Sequence, residues 1–386
     1  MRTVVAAIVT AVIGFATAVA AAAPPMPARA VPQIRAVSPP STVTGTDSRR
    51  HLVYEVIVDN GTRSRVRLDR LEVVDPSRDN VLATYSGDAI KDVAVDFQAA
   101  KPTRRVPRGS GALILLDVAL RRNARVPARL EHRFVLSLSR PGARPRRVTV
   151  TRARTRVDRR AAVRISPPLR ASNVGVLGCC GRPFAHRLAL LDRSGRPVFA
   201  QRYAIDFVRL DDTVNTYAGD PARNESYFVF GSEVIAVAPG RVVATRDGVP
   251  ENTPPGAPPN VALNDLAGNF VNQDLGGGRF ALYAHLQPGS LRVRPGDPVQ
   301  VGQVLGLVGN TGNSSEPHLH FHVMDGPGGP SNLMADGLPY VFDAFALDGH
   351  VTGLDRIPPT PRRVRAPAPA ERAAQYPFTG DVVAFR

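Results

Sequence analysis

The sequence predicts an all-β protein built from two domains. With 386 residues, the chain has room for two domains of ordinary size. Short runs of β-branched and apolar residues recur along it, and turn residues such as Asn60-Gly61 separate them. The chain divides near residues 155–170, where an arginine-rich stretch over 152–160 precedes two prolines. We therefore expect two β-rich domains joined by a linker over residues 159–170.

The first half, residues 31–158, is predicted to form a small β-sandwich. The candidate strands are His51–Val58, Arg65–Leu68, Leu113–Leu116 and His132–Leu136. Several short strands with turns between them are typical of an immunoglobulin-like sandwich. The His, Cys and acidic residues of this half do not stand at the spacing of a site, so His51 and His132 are interpreted as ordinary strand residues.

The N-terminus has the order of a signal peptide. A positive charge at Arg2 precedes an apolar stretch over residues 4–22, and prolines follow at once. We expect residues 1–23 to be a signal peptide, with cleavage after Ala23 or after Ala30. A retained membrane anchor is the alternative, because the stretch approaches the roughly 20 residues that span a bilayer. Export is favoured because the stretch is rich in Ala and poor in Leu. We expect membrane contact only through this export signal.

The chain is basic, but its charge is partly a matter of composition. The formal net charge is +16, and nearly all positive side chains are arginines, with lysine only at Lys91 and Lys101. This usage, with much Ala, Pro and Gly, is typical of a GC-rich coding bias. A basic exported protein is still attracted to an anionic wall polymer or membrane surface. We expect no nucleic-acid partner, because the arginines are scattered, aromatic residues are few and export removes the protein from nucleic acid.

The second half contains the most informative stretch of the sequence. A Gly- and Asn-rich loop from Gly309 leads into a strand in which His318, His320 and His322 alternate with apolar residues. Because successive strand side chains point to opposite faces, the three histidines are predicted to share one face. Residues two apart lie about 6.6 Å apart along a strand, within reach of one metal ion or of one water bound to it. A polar strand face exposed to water would explain one such histidine but explains three poorly.

The same stretch resembles the signature of the lysostaphin-type zinc endopeptidases. The signature is carried by Gly309-Asn310-Thr311-Gly312-Asn313-Ser314 and by Pro317-His318-Leu319-His320-Phe321. Further segments resemble the strands and hairpins around it: Val234–Val243, Gly268–Val271, Tyr283–Leu286, Pro295–Val299 and Gly302–Gly306. The resemblance covers roughly residues 199–325. It implies a peptidase domain with the duplicated hybrid motif fold, which we assign to residues 171–350. The remaining residues, 351–386, are rich in Pro and Arg and are predicted to form a tail.

The resemblance implies a zinc centre with two catalytic histidines. In this family an upstream aspartate and the second histidine of the pair hold Zn²⁺, and these positions correspond to Asp206 and His320. Zinc with three protein ligands keeps a fourth position for water and lowers the pKa of that water to about 7. The family's histidines that act on this water and on the oxyanion at the scissile carbonyl correspond to His285 and His318. The implied reaction is hydrolysis of a bond in the stem or cross-link peptides of peptidoglycan, by a protein that is secreted or held in the cell wall or periplasm.

One ligand position departs from the family's pattern. The family has a histidine four residues before the aspartate, where this chain has Arg202, which stays protonated and offers no lone pair to a metal. Two histidines could supply the third ligand. His186 is predicted on a strand that pairs with residues 199–207 through a tight turn, and His322 lies on the face that carries His320. We favour His186.

A catalytically inactive family member is the alternative interpretation. Such a protein would bind wall peptides or activate another hydrolase, having lost a metal ligand. The enzyme is favoured because four polar residues occupy positions that correspond to the family's site: Asp206, His285, His318 and His320.

Cys179 and Cys180 are adjacent, which restricts their chemistry. A disulfide between neighbours requires a distorted ring. An exported protein nevertheless rarely keeps exposed free thiols. We therefore interpret the two cysteines as an oxidised structural pair, with thiolate ligation of zinc as the alternative.

Overall fold

Strands dominate the computed structural model, which describes residues 30–180, 185–329, 331–354 and 361–386. The predicted all-β class is therefore confirmed. The predicted signal peptide, residues 1–23, lies outside the described residues. In the part of the chain that is described, no helix has the length and apolar character to cross a membrane.

The first domain is a sandwich of two β-sheets. Its strands are β1 (Gln33–Ala36), β2 (Ser41–Thr44), β3 (Arg50–Asp59), β4 (Arg65–Asp75), β5 (Asn80–Ser86), β6 (Ala94–Asp96), β7 (Arg105–Val106), β8 (Gly111–Ala119), β9 (Arg129–Ser139) and β10 (Arg146–Arg156). A 3₁₀ helix spans Gly87–Asp92. One sheet has the order β1-β3-β8-β6, with β2 also paired to β3. The other has the order β10-β9-β4-β5, with β7 paired to β4. The four strands predicted from the sequence lie within β3, β4, β8 and β9.

Strand β3 is buried on both faces. Leu52, Tyr54 and Val56 point into the core between the two sheets. Glu55 and Ile57 point the other way, where the second domain covers them. The strand is therefore an almost continuous buried run rather than a half-polar one. The two-sheet sandwich agrees with the prediction, whereas its immunoglobulin-like topology stays a prediction.

The second domain is built on one large sheet. Its strands are β11 (Val163–Ile165), β12 (Ala171–Gly178), β13 (Leu191–Arg193), β14 (Arg196–Val198), β15 (Ile205–Arg209), β16 (Glu233–Ile235), β17 (Gly240–Arg246), β18 (Asn269–Gly276), β19 (Arg279–Leu286), β20 (Pro298–Val299), β21 (Val304–Leu307), β22 (Leu319–Met324), β23 (Tyr340–Thr352), β24 (Arg362–Gln375) and β25 (Asp381–Phe385). Its short helices are α1 (Ala185–Leu188) and 3₁₀ turns at Ala200–Tyr203, Asn224–Ser226 and Leu263–Asp265.

The strand order of the large sheet places the site at its centre. The order is β11-β23-β25-β12-β15-β22-β19-β18-β17-β20, and β24 pairs with β23. Two small sheets, β13-β14 and β16-β21, lie apart from it. Strands β15, β22 and β19 are neighbours in the middle of the order, so residues distant in sequence meet there.

The predicted linker and tail both contribute strands to this sheet, which corrects the predicted boundaries. Strand β11, inside the predicted linker, pairs in parallel with β23. The predicted tail, residues 351–386, contains β24 and β25, and β25 pairs with β12 and β23. Proline discourages a strand prediction because it cannot donate to the ladder. Here Pro367 and Pro369 lie where the register between β23 and β24 shifts, so the pairing on either side is kept.

The two domains are packed together rather than separated by a free linker. Phe199 packs against Ile57, Leu113 and Leu115 on the outer face of the sandwich. The hydroxyl groups of Tyr203 and Ser41 lie 2.7 Å apart in the same buried interface. The segment that leads into β15 is therefore held by the first domain as well as by the second.

Candidate metal and catalytic site

Strand β22 carries two of the three predicted histidines at the centre of the large sheet, and His318 lies immediately before its first residue. The apolar residues between its histidines point into the core, so His320 and His322 lie on the opposite face, as the alternation predicted. The antiparallel register places Asp206 of β15 beside His320. Ala284 of β19 pairs with His320 from the other side. Sheet pairing alone therefore brings the aspartate and the histidine together.

The carboxylate of Asp206 lies among three histidines. Its Oδ1 is 2.8 Å from His320 Nδ1 and 3.5 Å from His318 Nε2, and its Oδ2 is 3.1 Å from His186 Nε2. All four side chains are buried. Burial alone would raise the pKa of Asp206, but the charges of His186 and His318 and the hydrogen bonds from the histidines hold it well below its usual value. The carboxylate is therefore ionised and can act as an oxygen ligand.

His186 reaches this cluster from a helical turn rather than from a strand. The predicted strand is wrong, because Ala185–Leu188 form α1 ahead of the β13-β14 hairpin. Ala, Arg and Leu are good helix formers, which fits a turn of helix here. The turn directs His186 to Asp206 and the next residue, Arg187, into the buried contact between the domains.

Two sets of donor atoms share His320. His186, Asp206 and His320 offer donor atoms that all lie within 4.8 Å of one another, and so do His285, His318 and His320. In the first set, each oxygen of the Asp206 carboxylate lies next to one histidine nitrogen, at 2.8 Å from His320 and 3.1 Å from His186. The first set therefore brings two imidazoles and one carboxylate together as possible metal ligands.

A bulge in β19 brings His285 to the same face. Strict alternation would point His285 into the core beside Tyr283. The register between β18 and β19 shifts across His285, and its φ of +66° is in the left-handed region, which few residues other than glycine adopt. Such a bulge re-aims a side chain. The ring centroids of His285 and His318 are consequently 4.8 Å apart.

Backbone carbonyls fix the proton positions of these two histidines. His285 Nδ1 donates to the Thr311 carbonyl at 2.7 Å, and His318 Nδ1 donates to the Glu316 carbonyl at 2.8 Å. A carbonyl only accepts, so in each neutral ring Nε2 is left as the acceptor. Burial, with the charges of His318 and His320, lowers the pKa of His285 well below its usual value. His285 is therefore neutral at neutral pH.

These carbonyls are functional groups that the sequence analysis missed. A main-chain oxygen can be supplied by any residue type, so Thr311 and Glu316 carry no signal of their own. The Gly- and Asn-rich loop that contains Thr311 is the only sequence feature that could have pointed to it.

His322 contacts the ring nitrogen of His320 that does not face Asp206. Its Nδ1 lies 3.0 Å from His320 Nε2, the ring nitrogen away from Asp206. Burial, with the charges of His320 and His186, lowers the pKa of His322 well below its usual value. If Nδ1 of His320 held a metal ion instead of donating to Asp206, the proton of His320 would move to Nε2, where a neutral His322 could accept it. The contact favours a supporting role for His322 over a place in the donor set.

Arg202 turns away from the cluster and into the domain interface. Its guanidinium lies 2.9 Å from a Glu55 carboxylate oxygen and 3.4 Å from Asp336. Burial would lower the pKa of Arg202, but the charges of Glu55 and Asp336 raise it instead. The residue at the family's ligand position is therefore a buried cation with an interdomain role.

A narrow cleft opens onto the cluster. Leu282 and Leu333 contribute apolar wall, and Gln201, Asn313 and Ser315 contribute polar groups. A mixed lining of this kind suits an extended peptide, whose backbone needs hydrogen-bond partners and whose side chains need apolar contact.

Cys179 and Cys180 form a disulfide, as the sequence analysis favoured. Both residues are buried in the core of the second domain. The thiolate alternative is therefore wrong, since the two sulfurs are bonded to each other.

A comparison with known families identifies the second domain. Residues 227–332 match the model described as Peptidase family M23. The chain therefore carries a domain of this lysostaphin-type peptidase family, and the resemblance seen in the sequence is confirmed. The match includes His285, His318 and His320, whereas His186 and Asp206 precede it.

Two curated proteins of Vibrio cholerae serotype O1 are similar to this chain. Peptidoglycan DD-endopeptidase ShyC is 27% identical over 135 residues, which are 34% of this chain and 29% of that protein. Peptidoglycan DD-endopeptidase ShyA is 38% identical over 73 residues, 19% of this chain and 16% of that protein. The similarity thus spans less than a third of the length of either relative. Among solved structures, the catalytic domain of lysostaphin from Staphylococcus simulans is 24% identical, covering 38% of this chain and 80% of that one, with a TM-score of 0.22.

Proposed function

We propose that this protein is a zinc-dependent endopeptidase that hydrolyses peptide bonds of peptidoglycan. The observation that carries the proposal is the donor set of His186, Asp206 and His320, with two further histidines beside it. The membership of the second domain in peptidase family M23 supports the same reaction.

Zinc is the ion that this donor set suits best. Two imidazoles and one carboxylate are a typical ligand set of catalytic zinc sites. Magnesium and calcium prefer sites made of oxygen ligands, which this one is not. When bound, zinc would supply Lewis-acid chemistry, polarising a carbonyl and making water more acidic.

His285 and His318 are the residues that we propose to move protons in the reaction. Nδ1 of each ring donates to a backbone carbonyl, so Nε2 is the nitrogen of each ring that can gain or lose a proton. Nε2 can accept a proton from the attacking water. Once protonated, the same nitrogen can donate to the oxyanion or to the leaving amine. The first donor set is complete without these two rings, so they need not bind the metal.

Peptidoglycan is the substrate class, and the site of action is outside the cytoplasm. The similar proteins ShyC and ShyA are named peptidoglycan DD-endopeptidases. We extend that substrate to this chain because the mixed cleft suits a peptide. Export by the signal peptide at residues 1–23 would place the enzyme in the cell wall or periplasm, where this substrate lies.

Replacing His186 by alanine tests the ligand set. We expect the unaltered chain to bind about one zinc ion and the His186→Ala variant to lose it, because only two of three protein ligands would remain. His322→Ala should keep zinc but bind it about 10- to 100-fold more weakly, the usual effect of removing an outer-shell partner. Zinc content is measured by plasma mass spectrometry and affinity by competition with a chelator.

His350→Ala is the matched control, because His350 is an exposed histidine on β23. It should keep full zinc affinity. Loss of zinc from His322→Ala with retention in His186→Ala would reverse the two assignments. An unaltered chain that binds no zinc after incubation with the metal would favour the inactive binding protein or activator instead.

A further inference from the structure

A buried cluster of four charges joins the two domains next to the candidate metal site. It consists of Glu55 from β3, Arg187 from α1, Arg202 and Asp336. The side chains of Glu55 and Arg187 are 0% exposed, and those of Arg202 and Asp336 are 4% and 9% exposed. Two cations and two anions balance one another, which is what makes their burial tolerable.

Most of the partners of Arg187 belong to the first domain. Its Nη2 donates to the Tyr54 carbonyl at 3.0 Å, to the Leu116 carbonyl at 3.1 Å and to Glu55 Oε1 at 3.1 Å. Its Nη1 donates to the Cys180 carbonyl of the second domain at 2.8 Å. The residue next to His186 is therefore fixed chiefly by the outer face of the sandwich.

Arg202 fastens the other end of the same segment. Its Nε donates to Glu55 Oε2 at 2.9 Å, and its Nη2 donates to Ser38 Oγ at 2.7 Å. It also contacts Asp336, which accepts the Phe199 backbone N–H at 3.1 Å. Glu55 thus accepts hydrogen bonds from both Arg187 and Arg202, which are the two ends of the segment 187–202.

The helical turn that carries His186 has little stability of its own. It is four residues long, and so short a helix depends on tertiary contacts. The sandwich supplies part of those contacts, since Leu188 packs with Ile57 and Leu115 and with the neighbouring Phe199. Asp206 and His320, by contrast, are held by the strand pairing of the large sheet.

We propose that Glu55 is a positioning residue for the metal site, and that docking of the N-terminal sandwich on the second domain completes the ligand set by placing His186. This inference rests on the proposed function, because it takes His186 as a ligand. Arg202, at the family's ligand position, binds the sandwich instead of a metal. His186, which takes its place as a ligand, is next in sequence to Arg187, the other arginine that binds the sandwich. Since binding equilibria that are coupled influence each other equally, zinc should in turn strengthen the docking.

The first test compares two glutamates of the sandwich in the full chain. Glu55→Gln removes the charge that the two arginines share but keeps the shape of the side chain. Glu131→Gln is the control, because Glu131 pairs with Arg154 on the other sheet, away from the interface. We expect the zinc dissociation constant to rise about tenfold or more in Glu55→Gln, as for loss of an outer-shell partner, and to stay unchanged in Glu131→Gln.

A second readout separates positioning from stability. Cobalt(II) replaces zinc, and its visible absorption reports how the ligands are arranged around the ion. Glu55→Gln should change that spectrum, whereas a substitution that only weakens the fold lowers the melting temperature and leaves the spectrum of the folded protein as it was.

Two neighbouring residues of β3 provide a test without altering charge. Ile57 packs against the second domain and Val56 packs inside the sandwich, on the opposite face. Ile57→Ala should weaken zinc binding by weakening docking. Val56→Ala should lower the melting temperature without changing the zinc dissociation constant of the folded protein. This pair decides the question if Glu55→Gln does not fold.

The outcomes separate this inference from the proposed function. If the unaltered chain binds no zinc, the proposed function fails and this inference fails with it. If the unaltered chain binds zinc and both Glu55→Gln and Ile57→Ala bind it equally well, only the inference is overturned. The supporting result is weaker zinc binding and a changed cobalt spectrum in Glu55→Gln, with the zinc dissociation constant unchanged in Glu131→Gln and Val56→Ala.

Discussion

Replacing Asp206 by asparagine is expected to lower zinc affinity by more than about 100-fold and to remove hydrolysis. Loss of an outer-shell partner alone usually weakens metal binding about 10- to 100-fold, so loss of a direct ligand should exceed that range. Asparagine keeps the size of the side chain and loses its charge. The carboxylate lies 2.8 Å from His320 Nδ1 and 3.1 Å from His186 Nε2, so it is the one anion among the donor atoms. Without it, the ion's charge would be left uncompensated in a buried site.

The measurement for Asp206→Asn is thermal unfolding with and without zinc. Zinc that binds only the folded protein at 100 times its dissociation constant stabilises it by about 2.7 kcal/mol. We expect a stabilisation of that order in the unaltered chain and none in the variant at the same zinc concentration. Asp343→Asn is the control, since Asp343 forms a surface pair with Arg164. A variant that keeps one tightly bound zinc would show that Asp206 is not a ligand.

The part of the site that the sequence could predict is the part that lies on regular strands. The side-chain period of two is a local property, so the common face of His320 and His322 follows from their spacing alone. The resemblance added Asp206, because a family motif records a partner across the sheet that spacing does not show. The register then places Asp206 beside His320.

The rest of the site depends on irregular backbone and on the other domain. The bulge at His285 has a positive φ, and no residue type in that segment predicts it. Only the resemblance to the family indicated this histidine. The turn that carries His186 was predicted as a strand, because its contacts with the sandwich are long-range and leave no local pattern. The interdomain role of Arg202 could not be predicted locally, because its partner Glu55 lies 147 residues away in the sequence.

The chain's end shows the same limit for the fold. Residues 362–375 alternate Arg, Ala and Pro, a composition typical of a loop or tail. They nevertheless form β24, which pairs with β23 and is interrupted in register around its prolines. Pairing with a long neighbouring strand outweighs the weak strand preference of these residues.

Replacing His285 or His318 by alanine is expected to remove most hydrolysis while zinc is retained. A positioned general acid or base contributes about 10²- to 10⁴-fold to a rate, and we expect each variant to lose activity within that range. Both residues present Nε2 as a base, because each Nδ1 donates to a carbonyl. The set of His186, Asp206 and His320 is complete without them, so zinc content should stay near that of the unaltered chain.

The two readouts must be taken on the same preparations. Zinc content is measured by plasma mass spectrometry, and hydrolysis is followed by chromatography of peptides released from purified peptidoglycan. The two readouts decide which donor set holds zinc, because the atoms of the second set, His285, His318 and His320, are also within 4.8 Å of one another. If His285→Ala or His318→Ala empties the site while His186→Ala does not, zinc is held by the second set, and His186 and Asp206 take the roles that we assign to the other two histidines. Retained zinc with lost hydrolysis in both variants would instead leave His285 and His318 with the proton-transfer role that their Nε2 atoms permit.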